Sequence, residues 1–390
     1  MKKFKYPKSF PNREEESFLK LALSNDDDFP VLWEQWRKEF ALDYINYAIL
    51  KLIPFIYLRL KKLNIVDDVT GKVKGMYKMA WYKNQLILNS VKNIVFLLNK
   101  ENIPVILLKG VPLLENVYQD KGARSLGDAD ILIDQQYITR IIKIMVDNGW
   151  QYLDSSPFYI NRFKEPLAKN KIDKEITFTN DKNVEIDIHW SLFPFLVKDN
   201  REHPMSYNEV FKYSLLSDMN GAPYRMPCME DMIIHIIIHG AERNNHRTLR
   251  WVLDVVSIIK TMPINWEFLI ERVKKFEVSV EISIAFSYLI NNLSIPVPES
   301  FIDELSKLPM EDRKVKEYYR KMNSIEKSIL GTLPSLWHRY WLYDRKGNFF
   351  TSWYYFIDYI SQSWGITKKR QIPVFIFEKY KKRVSILFHK

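Results

Sequence analysis

The chain is poor in cysteine, in glycine and in long apolar runs, and each shortage excludes a class of protein. Its 390 residues include one cysteine, Cys228, which excludes an internal disulfide framework and favours a reducing compartment. Eleven glycines are too few for a turn-rich β protein. No apolar run approaches the roughly 18 residues of a transmembrane helix, and the charged start lacks the apolar stretch of a secretory signal. We therefore expect a globular, cytoplasmic protein.

Acidic residues are also scarce relative to basic ones, and the excess charge is uneven. The formal net charge is +11, and residues 301–390 hold eighteen Lys/Arg against nine Asp/Glu, so about +9 lies there. Aromatic residues are dense between Trp337 and Trp364, ahead of this basic end. One interpretation is a contact with an anionic membrane or a nucleic acid through residues 326–390. The alternative is that the aromatic side chains pack on the helical region and the basic end is merely solvated.

The pattern of apolar residues divides the chain into four regions. Residues 1–100 and 228–325 have helical spacing, including one long helix over 73–100. Between them, residues 101–227 alternate short strands and helices, and residues 326–390 form the aromatic and basic segment. We expect strands in PVILL, DADILID, 174–180 and 184–192, with a hairpin turn at Asp181-Lys182-Asn183. The predicted fold class is α+β, a mixed sheet with helices flanked by helical regions.

Acidic side chains recur on two of the predicted strands. Side chains alternate between the two faces of a strand, so Asp128 and Asp130 share a face while Ala129, Ile131 and Ile133 enter the core. In the strand VEIDIHW, Asp187 and His189 share the face opposite the apolar residues. If the two strands are neighbours, Asp187 completes a cluster of three carboxylates. Such a cluster needs a cation, and Mg²⁺ or Mn²⁺ suits its oxygen ligands. The alternative is a solvated strand edge.

Several separated motifs resemble one known family. IPVILLKG is followed by a Tyr-x-Asp-x-Gly-x-Arg stretch that leads into Asp-x-Asp, then by EIDIHWSL, and then by His239 and LRWVLDV (249–255). In this order the motifs resemble the uncharacterised nucleotidyltransferase family of the DNA polymerase β superfamily, over about residues 20–260. The residues of the first stretch are Lys109, Gly110, Tyr118, Asp120, Gly122, Arg124, Asp128 and Asp130. The turn at Lys109-Gly110-Val111 has no serine, and its gap to Asp128 is longer than the superfamily's usual one.

The resemblance implies an enzyme that moves a nucleoside monophosphate from an NTP, ATP by preference, to an acceptor. Asp128, Asp130 and Asp187 would be the catalytic and metal-binding residues, with Mg²⁺ or Mn²⁺ as cofactor. The acceptor, whether protein, RNA or small molecule, stays open. The alternative is a non-catalytic nucleotide- or polyanion-binding protein that uses its basic C-terminal region.

Four further residues are candidates for substrate binding. Gly110, at a strand-to-helix turn, would let backbone amides approach a phosphate, or it is an ordinary tight turn. Lys109 would neutralise the triphosphate. Arg124 would bind a phosphate, or pair with Asp128 or Asp130. His189 would contact substrate or orient Asp187.

Helical spacing suggests two more pairs of residues. His235 and His239 lie four residues apart, but no third zinc ligand is evident beside them. Arg250 and Asp254 are also four apart, and we expect a salt bridge between them within one helix.

Overall fold

Helices make up the chain before the first strand. The computed structural model describes residues 4–152, 175–190, 192, 206–242, 249–323, 337, 340, 349–363, 369–374 and 376–377. The first five helices are α1 Arg13–Leu23, α2 Phe29–Glu39, α3 Tyr47–Leu50, α4 Ile53–Lys62 and α5 Thr70–Lys100. The long helix expected over 73–100 is confirmed as α5. Its Val73, Ile87, Val91, Ile94 and Leu98 are buried at helical spacing.

Among the described residues, the central sheet has seven strands of mixed direction in the order β3-β4-β5-β2-β1-β7-β6. Its strands are β1 Ile106–Leu108, β2 Ala129–Leu132, β3 Gln151–Tyr152, β4 Glu175–Thr179, β5 Glu185–His189, β6 Leu215–Asp218 and β7 Pro223–Met226. β2 pairs with β5 in parallel and with β1 in antiparallel fashion, and β1 pairs in parallel with β7. The four strands expected from the sequence are confirmed, while β3, β6 and β7 were not predicted. An α+β fold with a mixed sheet is therefore confirmed.

Short helices connect the strands. α6 (Gly110–Leu113) begins two residues after β1 and continues as a π-helical turn over Leu114–Tyr118. α7 (Ile138–Asp147) follows β2, and α8 (Tyr207–Tyr213) precedes β6. Strands β4 and β5 form the expected hairpin. In it the Asn180 side chain accepts hydrogen bonds from the backbone amides of Lys182 and Val184, each at 3.0 Å, as in other turns that asparagine stabilises.

Helices also follow the sheet. They are α9 Met229–Glu242, α10 Arg250–Thr261, α11 Trp266–Lys275, α12 Ser279–Leu293, α13 Glu299–Lys307 and α14 Asp312–Asn323. One continuous cluster of buried apolar residues runs from Phe10 through the sheet to Met322. The α/β elements thus share one core with the helices that come before and after them in the chain. Cys228, just ahead of α9, is buried, and burial raises the pKa of its thiol.

The aromatic segment near the C-terminus is partly described. In helix α15 (Phe349–Ser363), Phe356 is buried against Trp337, with ring centroids 4.8 Å apart, while Trp353 and Tyr354 are 60% and 61% exposed. Some of its aromatic residues therefore pack and others face solvent. Much of the basic end lies outside the described residues, so a membrane or nucleic-acid contact there stays a prediction. No helix in the described part of the chain is long and apolar enough to cross a membrane.

Candidate active site

Two parallel neighbouring strands bring the acidic residues together. In the register of β2 and β5, Asp130 lies directly opposite Asp187. The adjacent residues on the other face, Ile131 and Ile188, are fully buried in the core and fix which face the acids occupy. Asp128 lies one residue before β2 and is half-buried. The expectation that the two acidic strands are neighbours is confirmed.

The geometry groups a histidine with two of the acids. Asp130, Asp187 and His189 each offer one ligand atom, and these atoms all lie within 4.8 Å of one another. His189 is buried, and its Nε2 is 2.9 Å from Asp130 Oδ1. The donor set of two carboxylates and one imidazole fits a divalent cation. The sequence predicted Asp128, Asp130 and Asp187 as ligands, whereas this group among the described residues contains His189 and not Asp128. A ligand role for Asp128 stays a prediction.

The two facing acids have opposite electrostatic environments. Burial raises the pKa of Asp187 to about 6, helped by the charges of Asp130 and Asp128 and opposed by a hydrogen bond from Thr177. Burial also acts against the charged form of Asp130. However, Lys109 and His189 outweigh it and hold the pKa of Asp130 well below its ordinary value. At neutral pH the site therefore concentrates negative charge, which a bound cation would neutralise.

Lys109 reaches the acids from the turn between β1 and α6. Its Nζ lies 2.6 Å from Asp130 Oδ1 and 3.4 Å from His239 Nε2. Its backbone has φ 50° and ψ −112°, a region that residues with a side chain rarely adopt. Such strain is found where the surrounding structure imposes it, often at functional sites. The turn thus holds the Lys109 ammonium group against Asp130 of the candidate metal site.

Gly110 is required at this turn by the packing of its neighbours. A Cβ at position 110 would lie 2.5 Å from Leu126 Cδ2 and 2.6 Å from Arg124 Nη1. A side chain at this position would therefore displace Arg124 or Leu126. The helix that begins at Gly110 is only four residues long. A phosphate contact at Gly110 stays a prediction.

Arg124 lies behind the acids in a buried ion pair. Its Nε and Nη2 donate to the two carboxylate oxygens of Asp254 at 2.8 and 2.9 Å. Tyr118 donates to the same carboxylate at 2.8 Å. The sequence had offered Asp128 or Asp130 as its partner, and the structure gives Asp254 instead. Nε and Nη2 of the guanidinium thus engage Asp254, and this ion pair holds the Arg124 side chain in place. A phosphate contact of Arg124 stays a prediction.

The loop between the π-helical turn and β2 is held by helix α5. Asn84 is fully buried, donates to the carbonyl oxygens of Lys121 and Arg124 and accepts from the amide of Leu126. Further along α5, Tyr77 donates to Asp120 at 3.2 Å. These contacts fix the backbone that delivers Asp128 and Asp130 to the site.

The structure gives contacts for both residue pairs that helical spacing suggested. Arg250 donates to the Ser125 carbonyl oxygen at 2.9 Å, while Asp254, its expected partner, accepts hydrogen bonds from Arg124. His235 and His239 stack edge to face with ring centroids 6.0 Å apart. The three-ligand group found among the described residues contains neither histidine. Instead, His239 approaches Lys109.

Sequence reasoning missed Asn84, Tyr77 and the pairing of Asp254 with Arg124. Asn84 is a polar residue on the buried side of a long apolar helix, which is a signal that could have identified it. Nothing in the local sequence could have paired Asp254 with Arg124, because 130 residues separate them.

Comparison with known families identifies this architecture. A model of the family described as uncharacterised nucleotidyltransferase matches residues 47–290, well over half of the chain. The chain belongs to that family. The match begins later and ends later than the range of about 20–260 expected from the sequence. No curated protein matches the chain.

Proposed function

We propose that this family member transfers a nucleoside monophosphate from an NTP, ATP by preference, to an acceptor hydroxyl. The observation that carries the proposal is the placement of Asp130 opposite Asp187 on parallel strands, with His189 completing a ligand group. Asp128, Asp130 and Asp187 would hold Mg²⁺ or Mn²⁺, and His189 would lie on Asp130 as orienting group or ligand. The bound cation would neutralise the triphosphate and the leaving pyrophosphate.

The reaction needs no reactant besides the NTP and the acceptor. The acceptor oxygen attacks the α-phosphorus, the bond from that phosphorus to the oxygen bridging to the β-phosphate breaks, and pyrophosphate leaves. The hydroxyl proton would pass to Asp187, the acid of β5 that faces Asp130. When an NTP binds, the Lys109 ammonium group would leave Asp130 and contact the triphosphate, whose charge it can neutralise.

The buried facing acids favour catalysis over passive binding. Asp187 faces Asp130 inside the protein and has a raised pKa, so its negative charge costs stability when no cation is bound. A protein that merely binds polyanions through its C-terminal region has no use for that cost. Cytoplasmic location is part of the same proposal, because a lone buried cysteine suits a reducing compartment.

The proposal is tested by label transfer. The protein is incubated with each NTP labelled at the α-phosphate, with Mg²⁺ and fractionated cell extract, and each fraction is examined for label. The expected result is transfer to one class of acceptor by the wild type and none by Asp187→Asn. Equal labelling by both proteins would overturn the proposal.

A further inference from the structure

Helix α5 is basic along its whole length. Its 31 residues contain six lysines and no aspartate or glutamate. Those lysines are Lys72, Lys74, Lys78, Lys83, Lys92 and Lys100. A helix with a single sign of charge attracts a polyanion and repels cationic partners. The polyanion contact that the sequence suggests lies in residues 326–390, so α5 is a second, separate candidate surface.

Aromatic residues lie among these lysines on one face of the helix. Lys74, Lys78, Trp81 and Tyr82 have the spacing i, i+4, i+7 and i+8, which puts them on one side. We call these four residues the α5 stripe. Trp81 is 44% exposed, Tyr82 is 63% exposed, and both lysines are exposed. Two flat rings and two cations thus face solvent together on a rigid helix.

The stripe borders the loop that leads to the acids. Tyr77, one turn from both Lys74 and Trp81, donates to Asp120, and its ring packs against Gly122. Six residues connect Gly122 to Asp128, a path of at most about 20 Å. Asp120 is the acid of this loop that contacts Tyr77. Its carboxylate already accepts hydrogen bonds from Tyr77 and from the backbone amide of Gly122. An extended single-stranded polymer bound on the stripe is therefore long enough to reach the candidate active site.

We propose that the α5 stripe binds single-stranded RNA and thereby presents a terminal hydroxyl of that RNA as the acceptor, an inference that rests on the proposed nucleotidyl transfer. Exposed aromatic rings stack on bases and lysines contact phosphates, which is how proteins bind single strands without reading sequence. An RNA end carries the hydroxyl that the reaction needs.

The composition of the stripe favours RNA over a membrane surface. A helix that lies in a bilayer interface buries an aliphatic and aromatic face several ångströms deep. The same face of α5 continues instead through Gln85, Asn89 and Lys92, with one exposed ring, Phe96, near its end, and Gly71 precedes it. Most of these residues offer hydrogen bonds or charge and little apolar area. The stripe therefore suits a ligand with both rings and phosphates.

Fluorescence anisotropy with a labelled oligoribonucleotide of about 16 nucleotides tests the proposal. Trp81→Ala with Lys78→Gln should weaken binding about tenfold or more, since one stacked base alone contributes that much. The matched control is Met79→Ala with Lys83→Gln. It removes an exposed apolar side chain and an exposed lysine from a different side of the same helix. This control should bind within about twofold of wild type, well below the tenfold of a lost stacking contact.

Salt titrations separate the two kinds of contact in the stripe. Lys74→Gln with Lys78→Gln should reduce the slope of log K against log salt by about 1.4, or about 0.7 for each phosphate contact on a single strand. Trp81→Ala should weaken binding and leave that slope unchanged. Thermal unfolding of each variant checks that the fold is intact.

Three results would overturn the inference. They are no binding of the oligoribonucleotide, equal losses in the stripe and control variants, and binding to phosphatidylserine vesicles in preference to RNA. ATP binding with Mg²⁺ is measured on the same variants and should not change. If RNA binds through the stripe but neither ATP binding nor transfer occurs, the proposed function fails and the RNA surface remains.

Discussion

The guanidinium group of Arg124 binds both carboxylate oxygens of Asp254, at 2.8 and 2.9 Å, and both side chains are at least nine-tenths buried. This ion pair joins the loop ahead of the acidic strand β2 to helix α10. Asn84 fixes the same loop from helix α5. The acids are thus positioned by one helix that precedes the α/β elements in the chain and one that follows them, and both helices lie within the matched residues 47–290.

Breaking this ion pair should destabilise the protein strongly. Arg124→Met leaves Asp254 buried without its cation, and we expect a loss of about 3–5 kcal/mol in the free energy of unfolding. Arg124→Met with Asp254→Leu should recover part of it, because no lone charge remains. Arg13→Ala, which removes an exposed pair with Glu39, should change stability by about 0.5 kcal/mol or less. Urea unfolding measures all three, and a loss below about 1 kcal/mol for Arg124→Met would contradict this role.

Gly110→Ala should destabilise the site by crowding Arg124 and Leu126. The added Cβ would lie within 2.6 Å of each, and overpacking of this kind costs about 1–3 kcal/mol. Gly127 is the matched control, because a Cβ there has no neighbour within 4 Å. Thermal unfolding should show a clear loss for Gly110→Ala and none for Gly127→Ala. Equal effects would indicate that the Gly110 contact does not matter.

Asp187→Asn should stabilise the metal-free protein above about pH 6. The pKa of Asp187 is raised from 3.8 to about 6, so its charged form is disfavoured in the folded state. The resulting penalty is absent below about pH 4, grows as pH rises, and is complete above about pH 6, where it amounts to about 1–3 kcal/mol. Unfolding in chelator at pH 4 and pH 8 measures it.

Two comparisons complete the Asp187 test. Glu185→Gln, on the same strand, should show no such pH-dependent gain. Added Mg²⁺ should stabilise the wild type and leave Asp187→Asn unaffected. A variant less stable than wild type at pH 8 in chelator would show that Asp187 is not under electrostatic strain.

Lys109→Ala should affect both stability and nucleotide binding. The change removes the ammonium group 2.6 Å from Asp130, so the metal-free protein should lose stability and regain it when Mg²⁺ is added. ATP binding should weaken by about 1–3 kcal/mol, the scale of a charged hydrogen bond. Lys83→Ala, an exposed lysine of α5, is the control. If calorimetry finds ATP binding changed by less than about 0.5 kcal/mol, Lys109 has no contact with the triphosphate.

The sequence was most informative where a local pattern determines local structure. The alternation in DADILID and EIDIH predicted two strands with acids on one face, and both are present as β2 and β5. The α5 periodicity likewise predicted one long helix. In each case the apolar residues of a single segment are sufficient to define the element and its buried face.

Other features depend on contacts that no local pattern contains. Strand β7 is four residues long, begins at Pro223 and pairs with β1 across more than a hundred residues. Arg250 and Asp254 have the spacing of a helix salt bridge, yet Arg250 lies at the start of α10 and turns to the Ser125 carbonyl. His189 contacts Asp130 on the neighbouring strand, a contact that the sequence did not suggest beside substrate contact and orientation of Asp187. Tertiary packing, and not the local sequence, determines these contacts.

We propose that the acids of β2 and β5 bind a divalent cation together with an NTP. Isothermal titration calorimetry of ATP, with Mg²⁺ and with chelator, on wild type and on Asp130→Asn tests it most directly. We predict that the wild type binds ATP only with Mg²⁺ and that the folded variant does not bind under either condition. Tight ATP binding in chelator that survives Asp130→Asn would contradict the account.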